Sequence, residues 1–192
     1  IVIGKGTVKA HFQKALPRTK YTSTITPKMA FGTGHHQTTS LMMEVMQKEE
    51  KFIRDHRVLD MGCGTGILAI LAAKMKSATP VHAIDIDPTA VFSVRENKKK
   101  NRVHEKIDSR CGDASLIQAG KYDIILANIN RNILLQDMAT YTRGLLPGGV
   151  LVISGFYTQD LQMLTEEASR CGLEYEYHLE KENWVAAKFT KK

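Results

Sequence analysis

The sequence predicts an α/β fold, in which helices cover a mainly parallel sheet of seven strands and a C-terminal hairpin adds the last two strands antiparallel. Two observations lead to this prediction. From about residue 57 onward, short β-rich apolar runs alternate with helical patterns, an order typical of a parallel sheet. After Gly172, two strand patterns follow each other with no helix between them, which indicates a hairpin at the edge of the sheet.

The first 40 residues do not follow the alternating pattern. Residues 7–11 and 21–25 are predicted as short strands, and a helix is predicted from about residue 40 to residue 51. Residues 1–26 are too few to bury a core of their own. We therefore expect them to form a linker with short strands, which precedes a single domain over residues 27–192.

The elements of the predicted sheet follow in order after residue 57. Pro88 lies where the first turn of a helix tolerates proline, and Cys171-Gly172 has the pattern of a helix end. Five strands of parallel type are expected at 58–60, 81–85, 106–110, 123–127 and 150–154, with helices near 66–76, 88–101, 131–144 and 158–171 and hairpin strands at 174–180 and 184–189.

Composition and charge restrict the class of protein. The 192 residues are 43% apolar and 24% charged, which excludes a disordered chain, and no apolar run is long enough for a membrane span. The formal net charge is +7 at pH 7. This charge fits an ordinary lysine-rich surface, and it also fits a nucleic-acid, ribonucleoprotein or acidic protein partner.

Cysteine and histidine spacing bears on the compartment and on metal binding. Cys63, Cys111 and Cys171 are far apart and form no CxxC pair, which favours a reducing compartment and gives no zinc motif. His35 and His36 are adjacent, whereas helical ligand pairs are usually three or four residues apart. The start of the sequence has no signal segment, so we expect a cytoplasmic protein. Because neither the cysteines nor the histidines have the spacing of metal ligands, we expect it to bind no metal.

A glycine turn follows the first strand of the predicted sheet, where residues 58–66 have the sequence VLDMGCGTG. Glycines allow a sharp turn and the close approach of a ligand. In open parallel sheets, ligands bind beyond the carboxyl ends of the strands. We therefore predict that Gly62 and Gly64 contact a bound nucleoside. A dinucleotide-binding fingerprint would have a third glycine at the position of Ile67, so the pattern departs from that class.

The charge of Asp60 also separates the two ligand classes. Asp60 lies directly before the glycine turn. Beside the pyrophosphate of a dinucleotide its carboxylate would face a like charge, which is unfavourable. Beside the ammonium and sulfonium groups of S-adenosylmethionine the same carboxylate is complementary. The sequence therefore favours S-adenosylmethionine as the ligand.

Two further acidic residues follow the next two predicted strands. Asp85 ends the second strand and can accept hydrogen bonds from ribose hydroxyls, as it would in either ligand class. Asp113 follows the third strand and could accept a hydrogen bond from the adenine amino group. A turn or helix-cap role for Asp113 is equally compatible with the sequence. The ordered carboxylates at three strand ends strengthen the prediction of a nucleoside site.

The segment at 27–39 combines small residues, an aromatic ring and several hydroxyls before a helix. One interpretation is structural, because Thr38, Thr39 or Ser40 could cap that helix. The other is a flap over the cofactor, with backbone or side-chain contacts and a helix start that binds a carboxylate. On the second interpretation, cofactor contacts come from Phe31, Thr33, Gly34 and Thr39.

Asn128 lies at the end of the fourth predicted strand. Its side chain offers both an acceptor and a donor, so it could hold the methionine end of the cofactor or orient an incoming amine. A turn or helix cap is the structural alternative. The sequence identifies no catalytic base, although His35, His36 and Tyr157 are candidate neighbours of the site.

Taken together, these motifs resemble the PrmA-type ribosomal-protein methyltransferases. The resemblance lies in the loop PKMAFGTGHHQTTSL at 27–41, in DMGCGTGIL at 60–68 with DIDP at 85–88, and in ANI at 127–129. The glycine turn is common to many methyltransferases, whereas the loop is much more specific. The similarity covers roughly residues 20–190.

The resemblance implies a Rossmann-like, seven-stranded enzyme that uses S-adenosylmethionine and releases S-adenosylhomocysteine. It implies methylation of lysine side chains and the terminal amine of the eleventh large-subunit ribosomal protein, with the ribosome as a potential context and no membrane or DNA partner. Motif by motif, it assigns cofactor contacts to Thr39, Gly62, Asp85 and Asn128.

The sequence departs from the family pattern in two respects. The family's separate N-terminal substrate-recognition domain is expected to be absent from this chain. Asn130-Arg131 stands where relatives often have Leu-Ala, in the region expected to contact the substrate. Two alternatives also stay open, namely an RNA or small-molecule methyltransferase on the same sheet and a non-enzymatic nucleoside-binding module that docks on RNA.

Overall fold

The computed structural model describes residues 2–3, 6–10, 20–26 and 37–192. A small sheet near the N-terminus contains β1 (Val2–Ile3), β2 (Gly6–Ala10) and β3 (Tyr21–Ile25). β1 pairs antiparallel with β2, and β2 pairs parallel with β3. The two strands predicted in this region are confirmed, except that His11 lies outside the described residues, and β1 was not predicted.

The rest of the chain alternates strands and helices as predicted. Short 3₁₀ helices occur at 104–106, 114–116 and 158–160. The strands are β4 (Val58–Met61), β5 (Val81–Asp85), β6 (Ile107–Cys111), β7 (Tyr122–Asn128), β8 (Leu145–Tyr157), β9 (Leu173–Lys181) and β10 (Trp184–Lys191), and the helices are α1 (Gln37–Lys48), α2 (Glu50–Ile53), α3 (Ile67–Lys74), α4 (Pro88–Lys100), α5 (Arg131–Gly144) and α6 (Leu161–Arg170).

Seven strands form one sheet in the order β6-β5-β4-β7-β8-β10-β9, which confirms the predicted fold class. β4 to β8 are parallel, whereas β10 is antiparallel to both of its neighbours. The chain moves outward from β4 through β5 to β6, and then returns to place β7 and β8 on the other side. The carboxyl ends of β4 and β7 are therefore adjacent at a topological switch point, where open sheets bind ligands.

Helices cover both faces of the large sheet. One apolar cluster contains buried residues of β3, α1 and α3, and the other contains buried residues of α5 and α6. β7 is apolar on both faces over 124–127, as expected of a parallel strand covered on each side. None of the described helices has the length and apolar character that crossing a bilayer requires.

Several boundaries differ from the sequence-based prediction, and two of these differences follow from tertiary contacts. The helix predicted over 40–51 begins at Gln37 and is divided into α1 and α2, so Thr38, Thr39 and Ser40 lie in its first turn and do not cap it. All three are buried by tertiary packing, which overrides their preference for cap positions. β8 is longer than the predicted 150–154, because an irregularity in its register with β7 accommodates the turn-like residues 146–149.

Candidate active site

A cavity of about 690 Å³ opens at the carboxyl ends of β4, β5 and β7. Its volume lies within the range of about 300–1,000 Å³ that is usual for small-molecule sites. It is lined by Thr38, Thr39, Asp60, Met61, Gly62, Cys63, Gly64, Ile67, Leu68, Asp85, Ile86, Asp113, Asn128, Ile129, Asn130, Ile133, Gln136, Asp137, Gly155 and Trp184. Seven of the ten predicted cofactor contacts are in this set. The other three, Phe31, Thr33 and Gly34, lie outside the described residues.

The glycine turn forms one wall of this cavity. Gly62, Gly64 and Gly66 all have positive φ angles, of 67°, 52° and 78°, which explains the choice of glycine at each position. The amide of Gly62 donates to Ile84 O at 2.8 Å, which fastens the turn to β5. A Cβ atom at Gly62 would come within 2.8 Å of Ile129 Cγ1, so a larger residue would also obstruct the cavity.

Asp85 fixes the shape of the glycine turn as well as lining the cavity. Its Oδ2 accepts a hydrogen bond from Gly64 N at 2.8 Å, and its Oδ1 accepts one from Asp87 N at 3.0 Å. A carboxylate has about four acceptor positions, so these two bonds leave capacity for a ligand. The sequence predicted the ligand-facing position of Asp85 but not its bond to the turn.

Asp60 is buried beneath the turn, with 1% of its surface exposed. Its Oδ2 accepts a hydrogen bond from Ala69 N at 3.0 Å. Ala69 is the third residue of α3, and the residue before that helix, Gly66, has no side chain to cap it. Burial raises the pKa of Asp60 to about 7, an effect that the bond from Ala69 opposes and nearby Asp85 reinforces. The carboxyl group therefore changes charge near neutral pH.

Asp113 has the cap role that the sequence left open. Its Oδ1 accepts a hydrogen bond from Ser115 N at 2.9 Å at the start of a 3₁₀ turn. Hydrogen bonding with Ser115 lowers the pKa of Asp113, so its side chain is a carboxylate at neutral pH. The same residue lines the cavity. The cap role is thus confirmed, and contact with an adenine amino group stays a prediction.

Asn128 and Thr39 meet at the side of the cavity formed by β7 and α1. Asn128 Nδ2 donates to Thr39 Oγ1 at 3.3 Å. The helix-cap role considered for Asn128 belongs instead to Asn130, whose Oδ1 accepts hydrogen bonds from Asn132 N and Ile133 N at the start of α5. The neighbouring Arg131 forms an ion pair with Asp160 at 2.8 Å. Asn130 thus caps α5, and Arg131 joins the start of that helix to Asp160.

The structure adds lining residues that sequence reasoning did not single out. Trp184, the first residue of β10, lies at the cavity, and its ring is 4.0 Å from that of Tyr157 at the end of β8. Gly155 is pressed against Ile129, whose carbonyl oxygen would be 2.3 Å from a Cβ atom at that position. Trp184 is the one tryptophan of the sequence and lies in a predicted hairpin strand. The alternation of apolar and polar residues in that strand does not indicate that it reaches the site.

The charge of the cavity differs in sign from that of the whole chain. Four carboxyl side chains line it, those of Asp60, Asp85, Asp113 and Asp137, and its described lining contains no lysine or arginine. The chain as a whole has a net charge of +7. In the part of the chain that the structure describes, no group of three His, Cys, Asp or Glu side chains is arranged to hold a metal ion. The cavity therefore suits a cationic ligand.

Two solved structures with this fold are described as methyltransferases. A crystal structure of ribosomal protein L11 methylase from Lactobacillus delbrueckii subsp. bulgaricus is 25% identical, with a TM-score of 0.89 and coverage of 98% of this chain and 96% of that chain. A TehB-like SAM-dependent methyltransferase from Corynebacterium glutamicum is 23% identical, with a TM-score of 0.59 and coverage of 75% and 87%. The protein is an S-adenosylmethionine-dependent methyltransferase, which confirms the predicted class of enzyme and its methyl donor.

Sequence comparison identifies the family within this class. The family model described as ribosomal protein L11 methyltransferase (PrmA) matches residues 3–192. Relatives of that name from Phocaeicola vulgatus and Porphyromonas gingivalis are 46% and 50% identical and cover 100% and 95% of this chain. The chain belongs to the ribosomal protein L11 methyltransferase family, so the resemblance noted in the sequence is confirmed. It spans 68% and 62% of the length of these two relatives.

Proposed function

We propose that the protein transfers methyl groups from S-adenosylmethionine to amino groups of ribosomal protein L11, at lysine side chains and the terminal amine. The observation that carries the proposal is the acidic cavity at the switch point of a methyltransferase sheet. Both the sulfonium donor and a protein amine carry positive charge in solution. Four carboxyl groups favour both ligands electrostatically inside a protein whose net charge is positive.

We place the nucleoside half of the donor against the ends of β5 and β6. Asp85, which already orients the Gly64 amide, has acceptor capacity for the ribose hydroxyls. Asp113 is a carboxylate at the cavity wall and can accept from the adenine amino group. The exposed side chain of Ile86, which lies between these elements, supplies an apolar surface for the flat base.

The methionine half is placed between the glycine turn, Thr39 and Asn128. The turn brings backbone close to the ligand because Gly62 and Gly64 have no side chains. The bond between Asn128 and Thr39 fixes the orientation of the Asn128 amide, whose carbonyl oxygen can accept an N–H from an amine. Phe31, Thr33 and Gly34 stay predicted contacts from the segment before α1.

The chemistry supplied by the donor is a methyl group on a positively charged sulfur. The protein amine, an ammonium in solution, first releases a proton to solvent. The lone pair of the neutral amine then attacks the methyl carbon and the carbon–sulfur bond breaks with its electrons on sulfur, which leaves the methylated amine as an ammonium. The contribution of the protein is to align the amine with that bond and to exclude water. Trp184 and Asn130 lie at the same cavity and are suited to that alignment.

A ribosomal-protein substrate also implies a partner and a place of action. We propose that the substrate is met in the cytoplasm, either free or in the ribosome, with no membrane, DNA or metal involved. The alternatives, methylation of RNA or a small molecule and a non-enzymatic module, are not favoured, because the matching family and its most similar relatives are described as protein methyltransferases.

The test is methyl transfer from radiolabelled S-adenosylmethionine to separated ribosomal components. Purified L11 and protein-free ribosomal RNA are incubated with this chain in parallel, and the full-length Porphyromonas gingivalis relative is the positive control. We expect label in L11, at lysine and the terminal amine by mass spectrometry. Label in RNA alone contradicts the proposal. Donor binding without transfer to any component, even when this chain is fused to the part of the Porphyromonas gingivalis relative that it does not span, supports the non-enzymatic module.

A further inference from the structure

The strand β3 lies at the edge of the small sheet and lacks a neighbouring strand on one side among the described residues. Its backbone groups on that side are bound by side chains instead. Thr24 N donates to Asn101 Oδ1 at 2.9 Å, and Asn101 Nδ2 donates to Thr24 O at 2.7 Å. Lys74 Nζ donates to Thr22 O. Side chains from α3 and α4 thus replace a partner strand.

Asn97 extends this arrangement to the cofactor site. Its side chain is 1% exposed and makes two hydrogen bonds with different parts of the chain. Its Oδ1 accepts from Thr26 N, next to the end of β3, at 3.0 Å. Its Nδ2 donates to Thr65 O, inside the glycine turn, at 3.0 Å. One buried amide therefore links the turn that lines the cavity with the end of an edge strand.

The bond to Thr65 acts on the short segment that joins two cavity-lining parts of the chain, Gly62 to Gly64 and Ile67-Leu68. Thr65 lies between Gly64, whose amide binds Asp85, and Gly66, whose amide donates to Cys63 O at 2.7 Å. Fixing the Thr65 carbonyl fixes the peptide plane that carries the Gly66 amide. Three glycines in a five-residue segment give the backbone much conformational freedom, so an external contact is needed to hold one geometry.

We infer that Asn97 is a positioning residue for cofactor binding, which holds the glycine turn in its ligand-binding geometry through the Thr65 carbonyl. The inference rests on the proposed function, since it concerns the same cavity. Asn97 does not line that cavity, so its effect on the ligand is transmitted by the turn. Val94, one turn earlier on α4, supports the same contact, because its methyl groups would be 3.0 Å from a Cβ atom at Gly66.

Asn101 is a matched control for a merely structural role. It is one turn farther along α4, it is also buried, and it binds the same edge strand. Its other hydrogen bonds involve Asn97 O and Lys74 Nζ and do not reach the glycine turn. Asn101 holds β3 and Asn97 holds the residue that follows it, but only Asn97 also holds Thr65.

The experiment compares Asn97→Asp with Asn101→Asp. Asn97→Asp keeps an acceptor for Thr26 N and loses the donor to Thr65 O. We expect its Kd for S-adenosylhomocysteine, measured by calorimetry, to rise about tenfold, the effect of losing one buried hydrogen bond. Asn101→Asp should leave that Kd within about twofold while it lowers the Tm, because the bonds it loses, to Thr24 O and Asn97 O, act on β3 and α4 and not on the glycine turn. Equal Kd changes in the two variants overturn the inference.

A second measurement uses the wild-type chain and does not depend on variants that fold. The side-chain amide resonances of Asn97 and Asn101 are followed by NMR during titration with S-adenosylhomocysteine. We expect the Asn97 resonance to shift as the turn closes on the ligand and the Asn101 resonance to stay in place. A titration that saturates without moving the Asn97 resonance contradicts the inference. If the wild-type chain does not bind the ligand at all, it is the proposed function that fails.

Discussion

Asn128 Nδ2 donates to Thr39 Oγ1 at 3.3 Å, although the two residues are 89 positions apart in the chain. The bond joins the end of β7 to the first turn of α1 at the wall of the cavity. It brings a threonine of α1 and an asparagine of β7 together at the cavity wall. The orientation of the Asn128 amide depends on a residue outside the large sheet.

Substituting Thr39 with valine tests this contact, because valine keeps the shape of the side chain and removes the acceptor. We expect the Kd for S-adenosylmethionine to rise about fivefold to tenfold, since the Asn128 amide loses its partner. Thr142→Val is the control, because Thr142 has a buried hydroxyl on α5, bonded to Met138 O, away from the cavity. If both variants lose stability and neither loses affinity, Thr39 has a packing role only.

Asp85→Asn should weaken cofactor binding more strongly than any other single change at the cavity. The variant loses the charge that strengthens hydrogen bonds from ribose hydroxyls, and we expect the Kd to rise at least about tenfold. Asp87→Asn is the matched control, because Asp87 caps α4 and does not line the cavity. Asparagine caps helices about as well as aspartate, so that variant should bind normally. Calorimetric titration of both variants gives the comparison.

Asp60 should make the stability of the ligand-free protein depend on pH. The pKa of the Asp60 carboxyl is about 7 in the folded protein and 3.8 when the group is exposed, as in the unfolded chain. At pH values between these two, the folded state holds a proton that the unfolded state has released. The free energy of unfolding therefore falls as pH rises from about 4 to about 7. Asp60→Asn cannot titrate, and its urea-unfolding curve should lack this contribution.

The same group should affect the binding of two ligands differently. S-adenosylmethionine carries a positive sulfur, whereas the sulfur of S-adenosylhomocysteine is neutral. We expect the affinity for S-adenosylmethionine, relative to that for S-adenosylhomocysteine, to increase as pH rises through about 7, where Asp60 becomes ionised. This increase should disappear in Asp60→Asn. A ratio that is independent of pH in the wild-type chain would show that Asp60 does not sense the charge on sulfur.

Gly155→Ala should disturb the site by a steric clash, in addition to the strain of placing alanine at a positive φ angle. A Cβ atom at Gly155 would be 2.3 Å from Ile129 O, so the backbone next to Asn128 has to move. Gly148 also has a positive φ, of 74°, compared with 98° at Gly155. No atom lies within 4 Å of the position that a Cβ atom at Gly148 would occupy. We expect both variants to lose about 1–3 kcal/mol of stability, and only Gly155→Ala to lose cofactor affinity. Equal affinities would mean that the cavity tolerates the shift.

Lys188 should contribute to stability and not to ligand binding. This residue of β10 is 8% exposed, and its Nζ lies 3.0 Å from Glu49 and 2.8 Å from Glu176. Lys188→Ala leaves two partly buried carboxylates without their cation, so we expect a loss of about 2–3 kcal/mol in urea unfolding. Lys192→Ala removes an exposed pair with Glu174 at 3.9 Å and should cost less than about 0.5 kcal/mol.

The glycine turn and its acidic neighbours could be predicted because they depend on local sequence. A strand, a glycine turn and a helix follow one another within residues 58–74, and Asp85 ends the next strand. The order of such elements determines a parallel sheet, and a parallel sheet gathers its carboxyl ends at one edge. The seven strands and most of the site therefore follow from patterns of fewer than about twenty residues.

The contributions of Trp184 and Gly155 could not be predicted, because they depend on pairing between distant strands. Trp184 pairs with Tyr157, and this register brings the start of β10 to the cavity. The start of α1 was placed incorrectly for a similar reason. Thr38 and Thr39 favour caps by local preference, but their contacts with the sheet bury them inside the helix. The hydrogen bonds of Asn97 likewise join residues 32 and 71 positions away.

The position of β10 between β8 and β9 has a consequence for how the protein folds. β9 and β10 are joined by Glu182 and Asn183, both with positive φ, so the hairpin closes a very short loop and can form early. Pairing of β10 with β8 closes a much longer loop and should follow as a slower docking step. Trp184 reaches the cavity only in that step. We therefore expect ligand to stabilise the finished protein by slowing its unfolding, without accelerating the early stages of folding.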